Sequence, residues 1–187
     1  VYLGCRQVHA PTSWVLADPL RWLDLAHRHR ATVTWAPNFA FGLLAEHAHR
    51  MADRTWDLSA LRFITNAGEV VVAATARHFL ELLAPYGLPR TAMHPGWGMS
   101  ETSSVVTDAE LPAEPRPDEG AVVSCGLPYP GFAMRVVDDE ERIVPEGTPG
   151  RLQVRGTSVP RATSTGATSA TGGDCRTPTT RRRWNAG

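Results

Sequence analysis

The feature that most limits what this chain can fold into is an alternation, repeated within its first 94 residues, between short extended runs and helix-forming runs. ATVTWAP, residues 31–37, is rich in β-branched residues and reads as a short buried strand, and LRFITNAGE, 61–69, reads as a second strand with the loop that follows it. Ahead of the first strand, Asp18 and Pro19 suit an N-cap and a first helical position, and Leu20, Leu23 and His27 fall on one face of the helix they open. Behind the second, VAATARHFLELLAPYG, 72–87, has helical spacing and is stopped by Gly87 and Pro89. Strands separated by helices of this length return in the same direction, so the expected class is α/β, a parallel sheet with helices on its faces. In such sheets ligands collect at the loops beyond the carboxyl ends of the strands.

The pattern changes near residue 120. GAVVSCGLPYPGFAMRVVDDEERIVPEGTPGRLQVRG carries β-branched runs at 121–124, 133–137 and 151–155, parted by Pro/Gly turns and an acidic loop at 138–141. A small β-meander beside the parallel sheet is expected, with the proline-rich, acidic stretch 108–119 as the connecting loop. Residues 157–187 are mostly Thr, Ser, Gly, Arg and Ala, with Val159 and Trp184 as the large apolar residues. Such a composition buries too little surface to offset its ordering entropy, so a disordered tail is expected there.

Charge excludes some partners. Lys plus Arg equals Asp plus Glu at 19 each, so no overall field draws the chain to nucleic acid or to an anionic membrane. No stretch approaches the roughly 18 apolar residues of a membrane span. Cys5, Cys125 and Cys175 are far apart and odd in number, which suits a reducing, cytoplasmic setting. The sequence opens on Val1 with no charged leader, as though it begins within a domain.

The most informative stretch is HPGWGMSETSS, 94–104, where two glycines bracket an indole and a hydroxyl and a carboxylate follow at once. Glycine lets a backbone approach a ligand, an indole offers a flat apolar face, and Ser-Glu offers a donor and an anionic oxygen. Other readings of it fail. Gly98-Met99-Ser100-Glu101-Thr102 has threonine where a nucleophile elbow needs its second glycine, and Gly96-Trp97-Gly98 lacks the third glycine of a dinucleotide fingerprint. His27/His29 and His47/His49 are two apart, on opposite sides of any helix, which argues against shared metal ligation.

Four further segments complete an ordered series: WAPNFAF (35–41), NAGEVV (66–71), SCGLPYPG (124–131) and VPEGTPGRLQVRG (144–156). With GWGMSE, 96–101, this series resembles the adenylate-forming superfamily of acyl-CoA synthetases, fatty acyl-AMP ligases and the adenylation domains of peptide and polyketide synthetases. GWGMSE is similar to its aromatic-Gly-x-Thr/Ser-Glu motif, and 144–156 to its Gly-Glu-Leu-x-Val-x-Gly strand, with Arg151 where glutamate is commoner. The likeness covers most of residues 1–156.

The resemblance implies a fragment of an ATP-dependent ligase that joins a carboxylic acid, fatty or similar, to AMP, with coenzyme A or a carrier protein as acceptor. It implies that Trp97 packs on adenine and that Ala67, Gly68 and Glu69 meet the adenine edge. Ser100 would donate to the α-phosphate, and Glu101 would hold Mg²⁺. Asn38, Phe39, Gly96, Gly98 and Met99 would border the acyl pocket. Taken alone, Trp97 reads equally as a core aromatic and Glu101 as a solvated carboxylate at a helix start; the ordered series turns both toward the pocket.

The departures carry expectations of their own. Nothing in residues 1–60 resembles the family's Gly- and Ser/Thr-rich phosphate loop, and its mobile C-terminal domain with the adenylation lysine is absent from these 187 residues. Little activity of the 187 residues alone is therefore expected, and a non-catalytic remnant or interaction fragment of a larger synthetase is the alternative. The resemblance stops after Gly156. Arg161-Ala162-Thr163-Ser164-Thr165 can be encoded CGG GCT ACT TCG ACC, which from its third nucleotide reads Gly-Tyr-Phe-Asp, a family-like continuation. A reading-frame shift near 159–161 is the corresponding expectation.

Overall fold

The structure, a computed structural model, describes residues 4–115, 120–156 and 158–159. Four α-helices precede or separate the first strands: α1 (Thr12–Ala17), α2 (Leu20–His29), α3 (Asn38–Glu46) and α4 (Ala73–Leu83). Five strands, β1 (Val33–Ala36), β2 (Phe63–Asn66), β3 (Met93–Gly98), β4 (Val105–Asp108) and β5 (Leu127–Pro128), form one sheet in that spatial order. β1, β2 and β3 run parallel, whereas β4 and β5 return antiparallel. A separate antiparallel pair, β6 (Phe132–Val137) and β7 (Arg151–Gly156), follows.

The helices form where the spacing of apolar residues allows. In α4 the buried positions are Ala73, Ala76, Phe79, Leu80 and Leu83, the i, i+3, i+4, i+7 stripe of an amphipathic helix. Gly87, at φ 82°, then turns the chain in a left-handed conformation that most other residues avoid. α2 buries Leu20, Leu23 and Ala26 and ends at Arg30, itself at φ 47°, with Arg28 in its last turn complementing the negative end of the helix. Asp18 does lie just ahead of α2, but its carboxylate is held by Arg50 at 3.1 and 3.2 Å, which keeps it below the usual carboxylate range.

All three longer helices feed one core. Residues of α2, α3 and α4 join Ala36, Ile64 and Met93 in a single apolar cluster, and Phe41 meets Phe79 edge-on with ring centroids 4.8 Å apart. Register places Thr34 beside Ile64 and Ile64 beside Met93, so this cluster lies against one face of the sheet. The indole N–H of Trp22 reaches Thr34 from that side at 3.1 Å.

The opposite face is open at β1. Val33 is 63% exposed and Trp35 60%. This corrects the expectation of a buried strand at 31–37. Among the described residues β1 has a neighbour on one side only, and its alternate side chains face away from the helical layer, which a local reading of four residues cannot foresee.

The β-rich half also differs in detail. Of 121–124 only Val122 makes a bridge, to Val72, and the strand expected there is replaced by β4 and β5 at the sheet edge. The expected connecting loop therefore starts after Asp108, the last residue of β4, and residues 116–119 lie outside those described. The β6/β7 pairing follows the expected runs closely. The tail from 160 onward, to which the expectations of disorder and of a frame shift apply, also lies outside the described residues.

Candidate functional site

The parallel strands deliver the segments that follow them, loops and helix starts, to one end of the sheet, and most of the sequence-selected residues are on those segments. Asn38 and Phe39 follow β1, Ala67, Gly68 and Glu69 follow β2, and Met99, Ser100 and Glu101 follow β3. The first two loops are laced together. The Ala67 N–H donates to the Ala36 carbonyl, the Asn66 amide donates to Asn38 Oδ1 at 3.2 Å, and the Phe39 N–H donates to the Glu69 carboxylate at 2.5 Å. Asn38 Oδ1 also accepts from the Val72 N–H at 3.3 Å. The Asn38 side chain is therefore buried and engaged within the protein, whereas Phe39 is 54% exposed. Gly68, at φ 96°, passes close to the Trp35 indole, with 3.8 Å between that ring and the place a Cβ would occupy.

β3 carries the other half of the site. The Trp97 side chain is half-buried and outside the apolar core cluster, and the Trp97 backbone N–H donates to Thr107 Oγ1 at 3.1 Å. The ladder to β4 slips between Trp97 and Gly98, a bulge that redirects the chain at the motif. Gly96 and Gly98 stand where β4 presses on β3. A Cβ on Gly98 would fall 2.2 Å from the Ser104 carbonyl oxygen, and one on Gly96 would fall 2.8 Å from the Thr107 carbonyl oxygen.

The turn after β3 is fixed by a residue that sequence reasoning passed over. Thr102, 1% exposed, accepts the Met99 N–H at 3.0 Å, and its hydroxyl lies within hydrogen-bonding distance of the Met99 and Ser104 carbonyls. Ser103 then adopts φ 67°, and Ser158 donates to the Thr102 carbonyl at 2.9 Å. The consequence is a rigid turn that leaves Ser100 and Glu101 exposed. Glu101 makes no hydrogen bond or ion pair among the described residues.

A carboxylate without a partner among the described residues bears on metal binding. Among the described residues no group of three or more His, Cys, Asp or Glu side chains converges. Mg²⁺ needs no such cage, since it commonly takes one or two carboxylates and completes its shell with water and phosphate oxygens. An unengaged Glu101 fits that mode. The histidine pairs serve other ends: His27 accepts the Asp57 N–H at 2.9 Å, and His47 Nδ1 lies 2.9 Å from the Leu43 carbonyl.

A second polar group crosses β3, β4 and β5. His94 Nδ1 lies 2.9 Å from Asp108 Oδ2, and the imidazole stacks on Phe63 with ring centroids 3.9 Å apart. Burial, together with a hydrogen bond to Asp108 and its charge, pushes the Tyr129 phenol up to about 12. Because the raised group is the neutral acid, its contribution to folding is complete below about pH 10 and is lost as pH rises toward 12. An absorbance titration of the three tyrosines should therefore resolve one step near pH 12, moving down in Asp108→Asn. A step unmoved by that substitution would refute the contact with Asp108.

Comparison with known proteins bears on the fold and on the family. The profile described as AMP-binding enzyme matches residues 1–162. The chain is 34% identical over 161 residues to an aspulvinone E synthetase, melA, of Aspergillus terreus, covering 83% of this chain and 17% of that protein. It is 37% identical over 165 residues to an atromentin synthetase of Tapinella panuoides, covering 82% and 17% respectively. Among solved structures it is similar to McyG A-PCP complexed with phenylalanyl-adenylate, with a TM-score of 0.79 and 40% identity over 84% of this chain and 25% of that one. It is also similar to the adenylation domain of a keto acid-selecting NRPS module bound to keto acyl adenylate, at TM-score 0.75 and 37% identity over 84% and 34%. A fatty acid AMP ligase from Legionella pneumophila shares the fold at TM-score 0.67 and 22% identity, over 79% of this chain and 29% of that one. The chain thus spans about one sixth of the length of the curated relatives it matches.

Proposed function

This chain belongs to the AMP-binding enzyme family, and on that premise we propose that it is part of an ATP-dependent ligase that activates a carboxylic acid as its acyl adenylate. The observation that carries the reading is the gathering of three strand-end segments at one end of the sheet, two of them hydrogen-bonded together, with Glu101, unengaged among the described residues, on the third. The solved relatives named for phenylalanyl and keto acyl adenylates favour an aryl or keto acid over a fatty one, and the A-PCP relative favours a carrier protein over coenzyme A as acceptor.

The reaction explains the residues. A carboxylate oxygen of the acid attacks the α-phosphorus of ATP, the bond to the β-phosphate oxygen breaks, and pyrophosphate leaves. Alignment and neutralisation of spreading negative charge supply most of the catalysis. The Trp97 indole offers adenine a flat face, with Ala67, Gly68 and Glu69 along its edge. Ser100 donates to the α-phosphate, held in place by the turn that Thr102 fixes. Glu101 would hold Mg²⁺, which when bound draws charge from the phosphate oxygens. Phe39, Gly96, Gly98 and Met99 border the acid, and the buried Asn38 shapes that border from behind.

A non-catalytic remnant of a larger synthetase is the second reading, favoured by the exposed apolar side chains Val33 and Trp35. Calorimetry with Mg-ATP separates the two. The ligase reading expects saturable binding that weakens without Mg²⁺, with little pyrophosphate exchange by the 187 residues alone. Absence of any binding heat would favour the remnant.

A further inference from the structure

The turn after β3 has a fastening that comes from far along the chain. Ser100–Thr102 form a single 3-10 turn, too short to satisfy its own last carbonyls, and Ser103 leaves it in a left-handed conformation at φ 67°. The Thr102 carbonyl accepts from the Ser158 hydroxyl at 2.9 Å, and the Ser103 hydroxyl donates back to the Ser158 carbonyl at 3.3 Å. Two segments 55 residues apart thus clasp each other across the end of the turn. One serine caps the orphan carbonyl, and the other braces a backbone conformation that serine seldom adopts.

Ser158 is delivered to that position by a tight ribbon. It follows the end of β7, where Gly156 pairs with Phe132 so closely that a Cβ on Gly156 would fall 2.2 Å from the Phe132 ring. The Phe132 N–H donates to the Tyr129 carbonyl and the Tyr129 N–H to the Val106 carbonyl, each at 2.9 Å. Val106 lies on β4, the strand into which the turn itself runs. The contacts therefore close a ring, from the turn through β4, Tyr129, Phe132 and Gly156 to Ser158 and back to Thr102. Within the turn, the Ser103 N–H donates to the Ser100 carbonyl at 3.0 Å, so a shift at the clasp reaches the residue that opens it.

We propose that Ser158 is a positioning residue for the reaction, its clasp with Thr102 and Ser103 setting the aim of the exposed Ser100 and Glu101. The inference rests on the ligase reading, in which Ser100 meets the α-phosphate and Glu101 the metal. Ser158 touches neither and acts through the Thr102 carbonyl. A turn released from the clasp spends part of its time with Glu101 turned aside, and the apparent affinity for metal-bound nucleotide falls with the competent fraction.

The test compares Ser158→Ala with Ser158→Thr, which keeps the hydroxyl. Amide hydrogen exchange needs no ligand: in Ser158→Ala the Ser103 amide should exchange about fivefold faster, the worth of one hydrogen bond, while the Ile64 amide in β2 keeps its rate. An unmoved Ser103 amide would overturn the clasp. Calorimetry then reads the consequence. Ser158→Ala should bind Mg-ATP about fivefold more weakly and metal-free ATP only about twofold more weakly, and Ser158→Thr should restore both. Unchanged Mg-ATP affinity despite faster exchange would overturn the positioning role and leave the ligase reading standing. Equal losses for the two forms of ATP, or no recovery with threonine, would mark general loosening and overturn it as well. Failure of the unsubstituted chain to bind Mg-ATP would overturn both readings together.

Discussion

Gly98→Ala should destabilise the fold by roughly 3 kcal/mol, at the upper end of what forced overpacking costs. The added methyl would lie 2.2 Å from the Ser104 carbonyl oxygen and 2.5 Å from the Val105 Cα, both backbone atoms that cannot rotate away. Relief requires β4 to separate from β3 at the bulge. For a chain of this length such a loss lowers the melting temperature by roughly 10 °C. Thermal unfolding followed by circular dichroism measures it, and a shift under about 2 °C would mean that β4 does not press on β3 as described.

Glu101→Gln has the opposite profile. The side chain is exposed and makes no contact that the fold depends on among the described residues, so stability should hardly change. On the proposed ligase reading, adenylate formation by a full-length protein carrying this segment should fall on the order of 100-fold or more, because the amide keeps the shape and loses the charge proposed to anchor the metal. Raising Mg²⁺ should recover part of the rate. Pyrophosphate exchange within a few-fold of the unsubstituted enzyme, with unchanged Mg²⁺ dependence, would remove Glu101 from the proposed metal site.

How much of this could be read from the sequence depended on whether the determining contacts were local. The α4 stripe announces its helix because Ala76, Phe79, Leu80 and Leu83 meet the core through their own spacing. The proposed cluster of Trp97, Ser100 and Glu101 was visible for the same reason, being contiguous. The burial of β1 was misjudged because Val-Thr-Trp-Ala has the same composition at a sheet edge as in its centre. β4 was missed because Val105–Asp108 is too short to signal a strand until Gly96 and Trp97 pair with it. The family likeness supplied roles that residue types alone do not dictate, whereas Asp108 and Tyr129 act across register and leave no local trace; Thr102 acts locally, on Met99 and Ser104, but a threonine has many such partners open to it in any turn.

Among the described residues β3 is the one strand in the large sheet with a parallel neighbour on one side and an antiparallel neighbour on the other. It is therefore the seam at which two kinds of hydrogen-bond ladder are sewn together, and neither part can fray past it without loosening the other. A molecule gripping the turn beyond Gly98 would tighten that seam, and the added stiffness would be shared by the helical layer behind β2 and the ribbon of β4 and β5 alike.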